Sequence, residues 1–282
     1  MSFWTELDTE LAEFPARPLV ERYERMCTER FTGYRVWFSG LDGHRLFGFL
    51  SVPAGEGPFP ALLETPRHGS VNNPPHYNDR LRYVTFTMMH RGQRLADVPF
   101  AAAYPGLFTL GVTDPRTYVY RAIIADCLRG AEFLAAHPQA DPARLAVSGE
   151  DPVLHTAARR PVFRAAVVNT PLLHDALHRR EHGESYPLEG LDDLLRAHPE
   201  RETAVRETLA VYEPAALARD IRAEVLLAAP AEGPGWNGEL LAALGDRGTV
   251  YQRGEQDASD ARAIDAWLSG RLGMPGMARF AS

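Results

Sequence analysis

Residues 144–153, Arg-Leu-Ala-Val-Ser-Gly-Glu-Asp-Pro-Val, constrain this chain more than any other stretch. Leu145, Ala146 and Val147 form a short apolar run that reads as a buried strand. Gly149 allows a sharp turn, and Pro152, with its fixed φ and no N–H, suits the opening turn of a helix. A buried strand that turns directly into a helix belongs to a parallel sheet with helices packed on its faces.

The rest of the chain repeats this alternation. An amphipathic segment with Phe3, Trp4, Leu7, Leu11 and Phe14 predicts a first helix that stops near Pro15. Alternating runs at 34–38 and 45–52, joined by Leu41-Asp42-Gly43, predict an antiparallel hairpin. Short buried strands are expected at 59–63, 83–88, 165–168, 225–228 and 249–252. A long helix is expected over 114–137, with Pro115 at its start, and others at 238–244 and 259–272. Residues 172–220 are polar, rich in His, Arg and Glu, and mostly helical in period. The expectation is an α/β fold with a mostly parallel, doubly wound sheet, a single domain over 1–282 with 172–220 as a helical insertion.

Composition removes several function classes. Hydrophobic content of 45% and charged content of 24% are globular values. A net charge of −7 argues against a nucleic-acid partner. No apolar run approaches the ~20 residues of a membrane span, and no signal peptide is visible at Met1–Glu6, so a cytoplasmic setting is expected. Cys27 and Cys127 make neither a disulfide framework nor a zinc site. All 30 basic residues are arginine, which excludes Schiff-base, pyridoxal-phosphate and P-loop lysine chemistry.

Several short patterns then share one order and spacing. They are Phe3-Trp4, Asp42-Gly43, Arg91-Gly92-Gln93, Thr113-Asp114-Pro115 with Tyr118-Val119-Tyr120-Arg121, and Asp141-Pro142-Ala143-Arg144-Leu145-Ala146-Val147. Thr208-Leu209 with Tyr212, Leu217-Ala218 and Val250-Tyr251 follow. On these the chain resembles the acetyl xylan esterase/cephalosporin C deacetylase family of α/β-hydrolases, nearly end to end. The resemblance implies the α/β-hydrolase fold, and often a homo-oligomer. It also implies a Ser-Asp-His triad, whose serine falls on Asp151, its acid on Glu232 and its base on Glu255. The loop supplying one oxyanion donor falls on Pro66-Arg67-His68, or on His68-Gly69-Ser70 with a two-residue shift. Pro152, without an N–H, occupies the place of the other donor. A looser resemblance is to the esterase-like aziridine-forming proteins of azinomycin-type pathways, which implies a small partner protein as an alternative to a homo-oligomer.

Three carboxylates in place of the triad leave four expectations open. They are hydrated remnants of an inactive scaffold, an oxygen-rich metal site, a carboxylate nucleophile, or an acid–base cluster. The last is preferred: Asp151 is a general base beside a helix N-terminus, its pKa lifted by Glu232 and Glu255, with Arg67, His68 and Glu150 binding substrate. The expected activity is elimination or intramolecular displacement on a small amine-bearing metabolite, with no cofactor and no metal. An inactive pseudo-esterase is the alternative, and an acetyl esterase the third. His155 is expected to be a packed or surface helix residue and Arg91 to shape a loop. His174 and His178, spaced i, i+4, are expected on a solvated helix.

Overall fold

The computed structural model describes residues 2–68, 73–91, 95, 106–169, 171–181, 186–229, 237–254 and 257–277. Strands β1 (Leu19–Arg22), β2 (Phe31–Ser39), β3 (Arg45–Pro53), β4 (Phe59–Glu64), β5 (Val84–Met88), β6 (Ala140–Gly149), β7 (Ala165–Val168), β8 (Glu224–Ala229) and β9 (Gly248–Gln252) form one sheet. Its order is β1-β2-β3-β5-β4-β6-β7-β8-β9. The β1, β2, β3 and β5 pairings are antiparallel, and every pairing from β5 through β9 is parallel. This is the α/β-hydrolase arrangement expected above.

Alternation along the parallel strands divides the core between two faces. Leu63, Val147, Ala166 and Leu227 face the larger cluster. There they meet Ile124 and Leu128 of α3 (Val119–Ala135) and Leu154 of α4 (Pro152–Arg159). Leu62, Ala146, Val167 and Leu226 face the other way, against Leu268 and Leu272 at the end of α10 (Asp257–Arg271). Trp4, Leu7 and Leu11 of α1 (Phe3–Glu13) join the first cluster.

The sequence expectation fails at 114–118. The helix starts only at Val119, and Pro115 lies in a turn. Asp114 explains this: its carboxylate accepts the Arg116 N–H at 2.7 Å and its carbonyl accepts the Tyr118 N–H at 2.9 Å. Such local side-chain bonding competes with helix formation. Gly111, at φ +73°, lets the chain pass so close that a Cβ there would sit 2.2 Å from the Thr117 carbonyl. Strand β1 was not anticipated, because all four of its residues are exposed and carry no apolar alternation.

Between β7 and β8 the described residues form α5 (Ala176–Glu181), α6 (Glu189–Ala197), α7 (Glu202–Val211) and α8 (Pro214–Leu217). His174 therefore precedes a helix instead of riding on one. It is 1% exposed and its Nδ1 donates to Glu213 at 2.6 Å, which corrects the expectation of a solvated position. His155 is fully buried, bonded to the Tyr212 carbonyl at 2.9 Å, as a packed helix residue should be. Arg91 meets Asp126 through two bonds of 2.6 and 2.9 Å and reaches the Leu41 carbonyl, the structural role expected of it. No helix among the described residues is long and apolar enough to cross a membrane.

Candidate active site

The parallel strands deliver their carboxyl ends to one edge, where ligands bind in open α/β sheets. Strand β6 ends at Gly149, whose φ of +151° and contact with Thr65 demand glycine: a Cβ would lie 2.1 Å from Thr65 Oγ1. The backbone then passes through Glu150 and Asp151 into α4. Asp151 itself has helical φ and ψ of −44° and −47°, so the left-handed excursion of this turn is taken by the glycine.

Asp151 is 2% exposed and does not cap α4. Its Oδ1 accepts the Leu173 N–H at 2.6 Å, while Oδ2 is buried without a hydrogen-bond partner. Burial pushes its pKa well above the usual carboxylate range. The charges of Glu150 and Glu213 add to this, and the Leu173 N–H and the buried Arg179 oppose it. The expected cause was repulsion from Glu232 and Glu255; desolvation is the main one. Glu232 and Glu255 lie outside the described residues.

Glu150 and His68 are brought together beside the turn. Glu150 Oε2 accepts the His68 backbone N–H at 2.5 Å, and His68 Nδ1 lies 2.9 Å from the Tyr120 hydroxyl. The His68 ring packs among Phe108, Tyr120 and Tyr186, with centroids 5.9, 6.4 and 5.6 Å away. Burial lowers its pKa to about 4, so the imidazole is neutral at physiological pH. Burial raises Glu150, against the His68 N–H and the charges of Arg67 and Arg253. Arg67 is exposed, and its carbonyl accepts the Nε2–H of the buried His90 at 2.9 Å.

Residues 1–232 match the acetyl xylan esterase (AXE1) family. The chain belongs to the acetyl xylan esterase family. Its likeness to the acetyl esterase Axe7A of Xylanibacter ruminicola is 23% identity over 190 residues, 62% of this chain and 43% of that one. The chain thus spans less than half the length of that curated relative. The acetyl xylan esterase from Paenibacillus sp. R4 superposes with a TM-score of 0.81 at 22% identity, covering 95% of this chain and 93% of that one. Acetyl xylan esterase 1 from Thermoanaerobacterium sp. JW/SL YS485 gives 0.77 at 19% identity, covering 94% and 91%. At these identities the superpositions establish the α/β-hydrolase fold.

Of the residues expected to bind substrate, His68 and Arg67 lie beside Glu150, which precedes Asp151 in the turn after β6. Sequence reasoning missed the residues that hold them. Tyr120 lay within a quoted pattern without a role, and Leu173 contributes only its backbone. Glu213 accepts from His174, from the Asp175 N–H at 2.9 Å and from the Ala215 N–H at 3.1 Å, so the 171–175 turn is tied down from two sides. Arg179 completes it by donating to the Pro171 carbonyl at 2.7 Å. No group of three His, Cys, Asp or Glu among the described residues is placed to hold a metal ion.

Proposed function

We propose that this family member is a non-hydrolytic acid–base enzyme working on a small amine-bearing molecule. The observation that carries the reading is Asp151: a buried carboxyl with one unpartnered oxygen, at the turn where a serine hydrolase needs its hydroxyl. Pro152 follows it and offers no N–H to a developing oxyanion, a donor worth about 3–4 kcal/mol in acyl transfer. A carboxyl whose pKa is raised by burial suits general acid–base work. In its ionised form Asp151 takes a proton from a bound ammonium. The freed nitrogen lone pair then displaces a leaving group on the neighbouring carbon, closing a ring such as an aziridine; an elimination uses the same base. The aromatic faces around His68 suit a cationic group. Neither a cofactor nor a metal is required.

One observation favours a second reading, an inactive pseudo-esterase that binds a ligand or a partner protein. The Oδ1 bond to Leu173 makes Asp151 a staple for the 171–175 turn. Incubation with 2-aminoethyl hydrogen sulfate separates the two, since cyclisation releases sulfate and aziridine. Sulfate release by the wild type that is lost in Asp151→Asn supports the enzyme. Equal release by both proteins removes Asp151 as base, and brisk cleavage of a chromogenic acetyl ester restores the parent esterase activity.

A further inference from the structure

We propose that Arg67 and Arg253 form a two-pronged clamp for a carboxylate group of the substrate. The proposal rests on the reading that the strand ends hold the site, and is independent of proton transfer at Asp151.

The two arginines come from opposite sides of Glu150. Arg67 lies just beyond β4 and is covalently next to His68, whose N–H is held by Glu150 at 2.5 Å. Arg253 lies just beyond β9, where its own N–H donates to the Ala229 carbonyl at 2.9 Å. Its side chain does not point out to solvent beside β9. Nη2 reaches Asn169, beyond the end of β7, at 2.6 Å. Strand β8 lies between β9 and β7, so this arm crosses about 10 Å of sheet at ~4.8 Å per strand. Asn169 in turn donates its backbone N–H to Gly149, the residue preceding Glu150, at 2.7 Å. Arg253 is thereby carried over the strand ends to the turn that bears Glu150 and Asp151.

Both guanidiniums keep donors in hand. Arg253 Nε is buried without a hydrogen-bond partner. The Arg67 side chain is exposed and forms no ion pair among the described residues. Both positive charges act on Glu150. Two guanidiniums about one carboxylate leave a local surplus of positive charge, and the planar fork matches a carboxylate better than a point charge does. Joined to the amine preference argued above, the clamp defines the substrate as zwitterionic, with an ammonium toward Asp151 and a carboxylate toward the arginines.

The test uses the full chain labelled with 15N-arginine and titrated with sodium acetate, ionic strength being held constant with sodium chloride. The Arg253 Nε resonance, identified by its disappearance in Arg253→Gln, is expected to move saturably with acetate. Arg67→Gln, an exposed change that leaves folding intact, is expected to weaken acetate binding at least fivefold. Arg196→Gln, on an exposed helix face where it pairs with Asp193, is expected to leave it unchanged. A shift that follows total salt alone overturns the clamp, as does unaltered affinity in Arg67→Gln. Inorganic phosphate binding more than tenfold tighter than acetate overturns the carboxylate assignment. Asp151→Asn is expected to bind acetate normally, so loss of turnover there and loss of acetate binding in Arg67→Gln report on separate claims.

Discussion

Asp151 Oδ1 and the backbone N–H of Leu173 lie 2.6 Å apart, joining the turn after β6 to the segment after β7. Through this bond a side chain at the chemically exposed corner of the fold also becomes part of its interior. Its two oxygens have different surroundings, and each leads to a separate expectation.

Replacing the carboxyl with a hydroxyl should not recover an esterase. On the reading proposed above, Asp151→Ser supplies a nucleophile, yet Pro152 offers no N–H to an oxyanion, a donor worth about a hundred- to a thousandfold in rate. The expected result is no burst and no turnover of a chromogenic acetyl ester by Asp151→Ser.

Asp151→Asn keeps the acceptor for Leu173 and removes the titration. The folded protein binds the Asp151 proton more tightly than the unfolded chain, because burial disfavours the charge. The stabilisation from this group is complete below the ordinary aspartate pKa and is lost as pH rises through the folded-state value. Urea denaturation at a series of pH values should therefore show Asp151→Asn gaining on wild type as pH increases. A constant difference would mean that the carboxyl is solvated.

His68 gives the opposite slope. Its folded pKa of about 4 lies below the unfolded value, so its contribution is present above ~6.5 and falls away as pH drops toward 4. A 1H–13C NMR titration should place the His68 Cε1–H midpoint near 4, and His68→Gln should flatten the corresponding part of the stability profile.

Gly149→Ala introduces a Cβ at φ +151°, 2.1 Å from Thr65 Oγ1. The turn has to move away from β4 to admit it, at a cost of at least about 1 kcal/mol. Arg91→Gln leaves Asp126 buried and unpaired, which should cost about 3–5 kcal/mol in a chemical melt.

Much of the scaffold was legible because hydrophobic periodicity carries it. The runs at β4, β7 and β8 alternate between two buried faces, and Ala165–Val168 has the span expected from sequence. The turn at 149–152 was legible from local backbone chemistry, since Gly149 permits a positive φ and Pro152 fixes φ for the first turn of a helix. What stayed hidden depends on contacts between distant residues. His174 reads as a surface residue until Glu213, thirty-nine positions later, is folded against it. Arg253 drew no reading from sequence, and its reach to Asn169 exists only in the folded chain. The upshift at Asp151 was expected from neighbouring carboxylates, whereas burial, its first cause, is a property of the whole fold that sequence does not display.

The second face of the sheet has a consequence for how the molecule is made. Leu62, Ala146, Val167 and Leu226 wait for Leu268 and Leu272, which are synthesised after all of them. Arg82 then latches to Asp265 at 2.5 Å, across 183 positions of sequence. Until that late helix arrives, the nascent polypeptide presents a bare oily wall to the cell, so a stop codon ahead of residue 257 should yield a chaperone client or an inclusion body in place of a shortened folded protein.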